Sequence, residues 1–492
     1  MTSAAQFADL IELRLDCLTE SDFSEIHLKL AALSQDSLPP IIYTLRPAEQ
    51  GGRLNLDWET RLRFWSSALP LLLRDNQNYA DIELDLLHAL AQADDFAPDW
   101  NRIICSHHDF AGVPEGLEKI YERMAATRAR IVKIAVQAND ITDCLPALGL
   151  LQRARAEGRE MIAIAMGEAG ILTRILGPAR GSFLTYGALD AEQATAPGQL
   201  LAADLRDLYR IHELNEQTQI LGLVGQPVMH SVSPHIHNAA FAACQLNAVY
   251  LPLEVSNLKN FMHRMVQPRT RELDWKLRGL SVTAPHKRAV MEYLDWLEPS
   301  AQAIGAVNTI VIEDEKIFGY NTDARAALAP LRDVLKLNGA RVAVIGAGGA
   351  ARALLWSLRE ACARVTVFAR KAESAQETAQ AFDAEFATLK DASFKEFEIV
   401  VNATPLGTRG PEADETAAVA SQLRGTKIAY DLVYNPSETR FLREAQEAGC
   451  HTIGGLPMLV AQAAAQFELW TDTAAPLAVM QQAALKAVMS DE

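Results

Sequence analysis

Between residues 8 and 186 the chain repeats one pattern, a short apolar run followed by an amphipathic stretch. The runs are Ala8–Leu15, Pro40–Leu45, Ala80–Leu84, Arg102–Cys105, Arg130–Val136, Met161–Ala165 and Ser182–Tyr186. Strand–helix repeats of this kind set successive strands parallel, and a long unbroken series of them closes into a (β/α)8-type barrel. Polar residues collect where the runs end: Glu12, Arg14 and Asp16, then Arg46, then His107, His108 and Asp109, then Lys133. Barrel chemistry occupies that C-terminal rim.

Lys133 lies in the middle of the run Ala129-Arg-Ile-Val-Lys-Ile-Ala-Val136. In a buried parallel strand an ammonium is costly to desolvate unless it is paired or loses its proton. A lysine held neutral near pH 7 is a nucleophile for carbonyls. The plainer reading buries the stem and leaves the head in solvent; the polar rim around it favours the nucleophile. His108, in Cys105-Ser-His-His-Asp-Phe110, falls on the same rim. A neutral imidazole beside an iminium can remove an α-proton and then protonate a leaving hydroxyl. Arg174 can clamp a carboxylate with two donors, and Thr195-Ala-Pro-Gly-Gln199 places a hydroxyl and an amide on a turn suited to a lid. Taken singly, these are also readable as a core histidine, a surface ion pair and a helix cap.

At 492 residues the chain exceeds a single core, so two to four domains are expected. A formal net charge of -16 argues against nucleic-acid or anionic-membrane partners, so an anionic substrate needs local basic residues. The six cysteines are scattered with no metal-ligand spacing, and the N-terminus has no signal- or transit-peptide pattern. A cytoplasmic protein with reduced thiols is expected.

A helix over about 200–218 is expected to lead into a strand at Ile220–Val224, where the pattern changes. Arg341-Val-Ala-Val-Ile-Gly346-Ala-Gly348-Gly349-Ala350-Ala-Arg352 reads as a strand, a glycine turn and a helix start, the context of a dinucleotide fingerprint. The next strand ends at Arg370-Lys371 with no acidic residue for a ribose 2′-hydroxyl, which favours NADP over NAD. Upstream, Ser231-Val-Ser233-Pro234 places two hydroxyls before a helix, with Ser233 expected as N-cap and Pro234 at N1. His235 and His237, two apart on that helix, point to different faces, so no metal is assigned. Further on come Ser281-Val-Thr283-Ala-Pro-His-Lys287, Gly305-Ala-Val-Asn308-Thr309 and Gly319-Tyr-Asn-Thr-Asp323. A lysine and a carboxylate beside a reducible carbonyl can relay the proton that accompanies reduction.

Residues 8 to 213 resemble the type I 3-dehydroquinate dehydratases through Glu12-Leu-Arg-Leu-Asp16, Thr44-Leu-Arg46, His108-Asp-Phe, Lys133-Ile-Ala-Val, Arg174 and Thr195-Ala-Pro-Gly-Gln199. The resemblance implies a Schiff base on Lys133, His108 as proton shuttle, and substrate binding by Glu12, Arg14, Arg46, Arg174, Thr195 and Gln199. The family commonly has Glu before the Gly-Gly of the third motif; Gln50 stands here, and a neutral amide would orient His108 more weakly unless Glu49 shifts in. Thr195 replaces a frequent Ser and keeps the hydroxyl. A further βα unit normally precedes the Glu12 strand in this family. At about 30 residues per unit, the seven runs fall short by about one. A gap is therefore expected between the first and last strands unless another segment fills it, with a start codon further upstream as one explanation.

From about residue 220 the chain resembles shikimate dehydrogenase, with Asn402-Ala-Thr-Pro-Leu-Gly407, Tyr430-Asp-Leu-Val-Tyr434-Asn-Pro436 and Gly455-Leu-Pro-Met-Leu-Val-Ala-Gln462 added to the motifs above. That likeness implies Lys287 and Asp323 as catalytic pair and Ser231, Ser233, Thr283, Asn308, Tyr434 and Gln462 as substrate ligands. Gly346, Gly348, Gly349, Ala350, Arg370, Lys371, Thr404 and Gly455 would then hold NADP. The family's Asn before Arg370 is Ala369 here, and its following Thr is Lys371. The expected domains are a dehydratase barrel (1–214), a substrate-binding domain (218–323, completed by helices in 457–492) and a Rossmann domain (324–456). The two activities are consecutive, the first product being the second substrate. Two alternatives are a quinate/shikimate dehydrogenase with an impaired dehydratase half and a non-catalytic metabolite sensor.

Overall fold

The computed structural model describes residues 4–19, 23, 25–26, 39–74, 77–93, 96–190, 195–332, 334–390 and 392–491. Its contacts divide into two compact units, one built on the residues up to Thr218, with which Leu253–Val266 and Thr270–Trp275 group, and one holding the rest.

In the first unit six strands pair in sequence order as one parallel sheet: β1 Ile11–Arg14, β2 Ile41–Thr44, β3 Tyr79–Glu83, β4 Ile103–Asp109, β5 Ile131–Gln137 and β6 Glu160–Met166. The helices Trp58–Leu72, Leu84–Leu90, Leu117–Ala125 and Cys144–Ala156 lie between consecutive strands. Trp65, Leu87, Tyr121 and Leu151 from them share one buried cluster with strand residues Tyr43, Ile82, Cys105 and Val132. Alternation along each strand sends the other residues to the opposite face, and there the charged groups stand. The expected seventh strand is not a strand: Ser182 makes a single parallel bridge to Met161, and Ser182 Oγ donates to Leu184 O at 2.9 Å, turning the chain away from the ladder. Among the described residues β1 pairs only with β2, so the barrel is open between β1 and the Ser182 segment. Leu10, Phe183, Leu184 and Tyr186 pack against one apolar cluster there, so side chains bring together what the backbone leaves unpaired. The expected helix over 200–218 is also replaced. A bridge at Leu201, a one-turn π-helix Asp204–Leu208 and turns occupy it, with Arg210 at a positive φ of 49° that an α-helix cannot contain.

The second unit carries two six-stranded sheets. One runs in the order β10 (Trp296–Leu297), β12 (Lys316–Tyr320), β11 (Thr309–Glu313), β9 (Leu277–Val282), β7 (Gln219–Gly225), β8 (Ala248–Glu254). Two helices, Leu456–Thr471 and Leu477–Asp491, pack on it through Phe467, Trp470, Met480 and Ala484, against Leu221, Leu223 and Tyr250. The other sheet is all parallel: β15 (Glu385–Thr388), β14 (Arg364–Ala369), β13 (Arg341–Ile345), β16 (Ile399–Asn402), β17 (Ile428–Asp431), β18 (His451–Ile453). Numbered within that sheet the order is 3-2-1-4-5-6, that of dinucleotide-binding folds, whose ligand crevice opens where the order reverses. Here that point lies between β13 and β16. No helix among the described residues is long and apolar enough to cross a membrane.

Two candidate active sites

In the first unit one pocket gathers all eight residues proposed for dehydration: Glu12, Arg14, Arg46, His108, Lys133, Arg174, Thr195 and Gln199. Lys133 stands at the third position of seven-residue β5, inside the sheet rather than at its rim, and is 4% exposed. Its Nζ donates to Asp81 Oδ2 at 2.8 Å and to Tyr186 Oη at 3.1 Å, with Glu12 Oε1 at 3.8 Å. Burial lowers the Lys133 pKa, while Asp81 and Glu12 oppose the fall and Arg46 adds to it. Register explains the cluster. Ser106 pairs with Lys133 across β4–β5, and its hydroxyl donates to Asp81 Oδ1 at 2.5 Å. Arg46 donates to Asp81 Oδ2 at 2.9 Å and to Ser106 Oγ at 2.9 Å. Burial alone would raise the Asp81 carboxyl; Arg46, Lys133 and His108 hold it well below the usual carboxylate range.

His108 lies two residues beyond Ser106 on the same face, and His107 points away. Burial, with Arg46 and Lys133 beside it, keeps the imidazole pKa well below its usual value, so the ring is neutral. Glu49 does not shift in to orient it: that carboxylate is 65% exposed and pairs with Arg61 at 3.0 Å. Gln50 Oε1 accepts from the His108 backbone N–H at 3.2 Å, so it holds the strand and not the ring. Arg174 is 1% exposed, not on the surface. Its Nη2 donates to Pro197 O at 3.3 Å, and its buried Nε has no partner among the described residues. Burial brings its pKa down to about 10. A buried guanidinium with an unmet donor suits an anion. Gln199 Oε1 accepts from Thr195 N at 2.9 Å and from its hydroxyl at 3.3 Å, which leaves the amide NH2 free of that turn.

The second unit has a larger cleft, which brings together Ser231, Ser233, Thr283, Lys287, Asn308, Asp323, Tyr434 and Gln462 with Ala350, Thr404 and Gly455. Lys287 Nζ donates to Asp323 Oδ2 at 2.6 Å. Asn308 Nδ2 donates to Asp323 Oδ1 at 2.8 Å and to Thr322 Oγ1 at 2.9 Å, fixing the carboxylate from its other side. Ser231 Oγ donates to Ser233 Oγ at 3.1 Å. Ser233 is the first helical residue and not the N-cap, which is Val232. The cap-like bond comes from Ser231, whose Oγ accepts from Ser233 N at 3.2 Å. Burial raises the Tyr434 hydroxyl pKa, leaving it a neutral donor beside Ser231. His237 is fully buried, stacked on Tyr250 at 4.4 Å, and burial takes its pKa down to about 3.

Gly346 follows β13 at φ 126°, and a Cβ there would come within 2.7 Å of Ala403 O beyond β16. The helix Gly349–Glu360 starts at Gly348 with no side-chain cap, so its first N–H groups face the crevice unclaimed by a side chain. Arg370 and Lys371 stand exposed at the end of β14. The residues present therefore fit a dinucleotide bearing a 2′-phosphate.

Sequence reasoning missed Asp81, Ser106 and Tyr186 in the first site and Ser281 and Gln466 in the second. Asp81 carried a signal, because a carboxylate inside the apolar run Tyr79-Ala-Asp-Ile-Glu83 is the same anomaly as Lys133. Gln466 carried none; its Oε1 accepts from Ser281 Oγ at 2.9 Å only once a helix 185 residues away has docked.

A family model for type I 3-dehydroquinase matches residues 1–216. Models for the shikimate dehydrogenase substrate binding domain, shikimate/quinate 5-dehydrogenase and the shikimate 5′-dehydrogenase C-terminal domain match 223–310, 329–432 and 455–485. The chain is 35% identical over 491 residues to the chloroplastic bifunctional 3-dehydroquinate dehydratase/shikimate dehydrogenase of Arabidopsis thaliana, covering 95% of this chain and 78% of that protein. It is 30% identical over 466 residues to the shikimate biosynthesis protein AroDE of Chlamydia pneumoniae, covering 94% of this chain and 90% of that one. A crystal structure of a shikimate dehydrogenase in complex with NADP+ matches 56% of this chain and 97% of its own, at 35% identity and a TM-score of 0.52.

Proposed function

The chain belongs to the bifunctional 3-dehydroquinate dehydratase/shikimate dehydrogenases, and from that premise we propose how its residues divide the two reactions. It dehydrates 3-dehydroquinate to 3-dehydroshikimate and reduces 3-dehydroshikimate to shikimate with NADPH. Residues 1–214 form the dehydratase domain, 218–323 with 457–492 the substrate-binding domain, and 324–456 the NADP-binding domain.

In the first site Arg174 holds the substrate carboxylate, which supplies the acceptor its buried Nε lacks among the described residues. Lys133, in its neutral form, attacks the ring ketone. The C–N bond forms, the carbonyl pair moves to oxygen, and protonation releases that oxygen as water to leave an iminium. His108 takes the α-proton, the electron pair reforms as an enamine, and the β-hydroxyl leaves as water with a proton from His108. Water then hydrolyses the iminium and returns Lys133. Glu12, Arg14, Arg46, Thr195 and Gln199 hold the ring hydroxyls and carboxylate. In the second site Ser231, Ser233 and Tyr434 bind the carboxylate of 3-dehydroshikimate, and Thr283, Asn308 and Gln462 its hydroxyls. Lys287 and Asp323, 2.6 Å apart, deliver a proton to the carbonyl oxygen. Gly346, Gly348, Gly349, Ala350, Thr404 and Gly455 would cradle the cofactor, Arg370 and Lys371 its 2′-phosphate. When bound, NADPH supplies the hydride. The acidic net charge and six free thiols support a cytoplasmic protein without nucleic-acid or membrane partners.

The observation that carries the dehydratase assignment is the buried Lys133 amine in a pocket with His108 and an under-satisfied Arg174. Borohydride added with 3-dehydroquinate should inactivate dehydration and add the reduced ligand's mass to the Lys133 peptide. Dehydration that survives with that peptide unmodified would rule the Schiff base out.

A further inference from the structure

His108 is the residue asked to remove a proton, yet its surroundings leave it no unengaged lone pair. Arg46 Nη1 lies 3.0 Å from His108 Nδ1. A guanidinium has donors only, so in that contact Nδ1 is the acceptor and carries no hydrogen. The ring is neutral, because burial and the charges of Arg46, Lys133 and Arg14 outweigh the opposing pull of Asp81. A neutral imidazole with a bare, engaged Nδ1 bears its one proton on Nε2. Asp81 does not reach the ring: its two oxygens take Lys133, Arg46 and Ser106. Gln50, which stands at the family's carboxylate position, gives its Oε1 to the backbone N–H. Arg46 is fixed in this pose by three bonds, to Asp81, Ser106 and His108.

Resting on the reading of His108 as proton shuttle, we infer that Arg46 holds the resting enzyme in the Nε2–H tautomer, so that His108 starts as a proton donor. His108 becomes a base only when bound substrate draws Arg46 away from Nδ1. One proton then passes from Nε2 to Nδ1 through solvent, with no net gain or loss, and frees the Nε2 lone pair. Substrate binding and base activation are thereby one event, and Arg46 is a positioning residue as well as a ligand.

The two-bond 1H–15N spectrum of full-length protein labelled with 15N-histidine reads the tautomer directly, with the His108 ring assigned as the one lost in His108→Gln. The wild type without substrate should show the Nε2–H pattern. Arg46→Lys, which keeps the charge but loses the fork, should mix the two patterns. Lys133→Ala with saturating 3-dehydroquinate, which cannot turn over, should move the ring toward Nδ1–H. An Nδ1–H ring in the free wild type overturns the inference, as does an Nε2–H ring that persists with substrate bound. Turnover of 3-dehydroquinate by the same wild-type sample separates these failures from failure of the dehydratase reading itself.

Discussion

Replacing Asp81 by Asn tests whether the first site is held together by charge. The side chain keeps its shape and one acceptor but loses its charge, while Lys133 and Arg46 remain buried 2.8 and 2.9 Å from that position. Asp81 is 1% exposed, so water cannot replace the lost charge. Breaking a buried pair by neutralising one partner costs about 3–5 kcal/mol. For a unit of this size each kcal/mol moves the midpoint by about 2–4 °C, so the first unit should melt roughly 6–20 °C lower. Scanning calorimetry on the full chain measures it, with NADP added to raise and so identify the second unit's transition. That transition should not move. A first-unit shift under about 2 °C, close to 0.5–1 kcal/mol, would show that Glu12 and the polar lining already compensate both cations and that Asp81 is not the counter-ion.

Lys287→Ala or Asp323→Ala should cut 3-dehydroshikimate reduction by about 10²- to 10⁴-fold and leave dehydration intact; near-normal reduction in either variant would make the pair a structural ion pair only. Arg370→Ala with Lys371→Ala should raise the KM for NADPH and barely alter that for NADH, and an equal rise for both would remove the 2′-phosphate assignment. Burial raises the Asp431 carboxyl to about 6, against the bonds from Thr439, Val433 and Asn402. The folded protein therefore binds this proton more tightly than the unfolded chain does, and the resulting stability is full below about pH 4 and lost as pH rises through 6. That loss, roughly 3 kcal/mol, should be missing from Asp431→Asn, so urea midpoints of the two proteins followed at the second unit should diverge between pH 4 and 6. Parallel curves would contradict it.

Residues whose place follows from local pattern were legible in the sequence. Lys133 betrayed itself as a charge in an apolar run, and Gly346 as a turn between a strand and a helix. The Lys287–Asp323 pair came from motif order, and the 2.6 Å bond between them is a tertiary fact. What failed was set by pairing partners. Ser182–Tyr186 has strand composition but meets Met161 at one residue only, so the ladder that would make it a strand does not form. Ser before Pro is the common cap signature and points to Ser233, but an earlier hydroxyl, Ser231, makes the bond instead. The role of Gln50 depended on whether its amide meets the ring or the backbone of His108, a distinction of a few ångströms that no spacing encodes.

The most direct test of the account is conversion of 3-dehydroquinate by the purified full chain with NADPH, followed as shikimate formed and NADPH consumed. The wild type should yield one shikimate per NADPH. Lys133→Ala should stop at 3-dehydroquinate yet still reduce added 3-dehydroshikimate, and Lys287→Ala should accumulate 3-dehydroshikimate. Wild-type enzyme that reduces 3-dehydroshikimate but leaves 3-dehydroquinate untouched would contradict the account and leave a reductase joined to an inactive barrel.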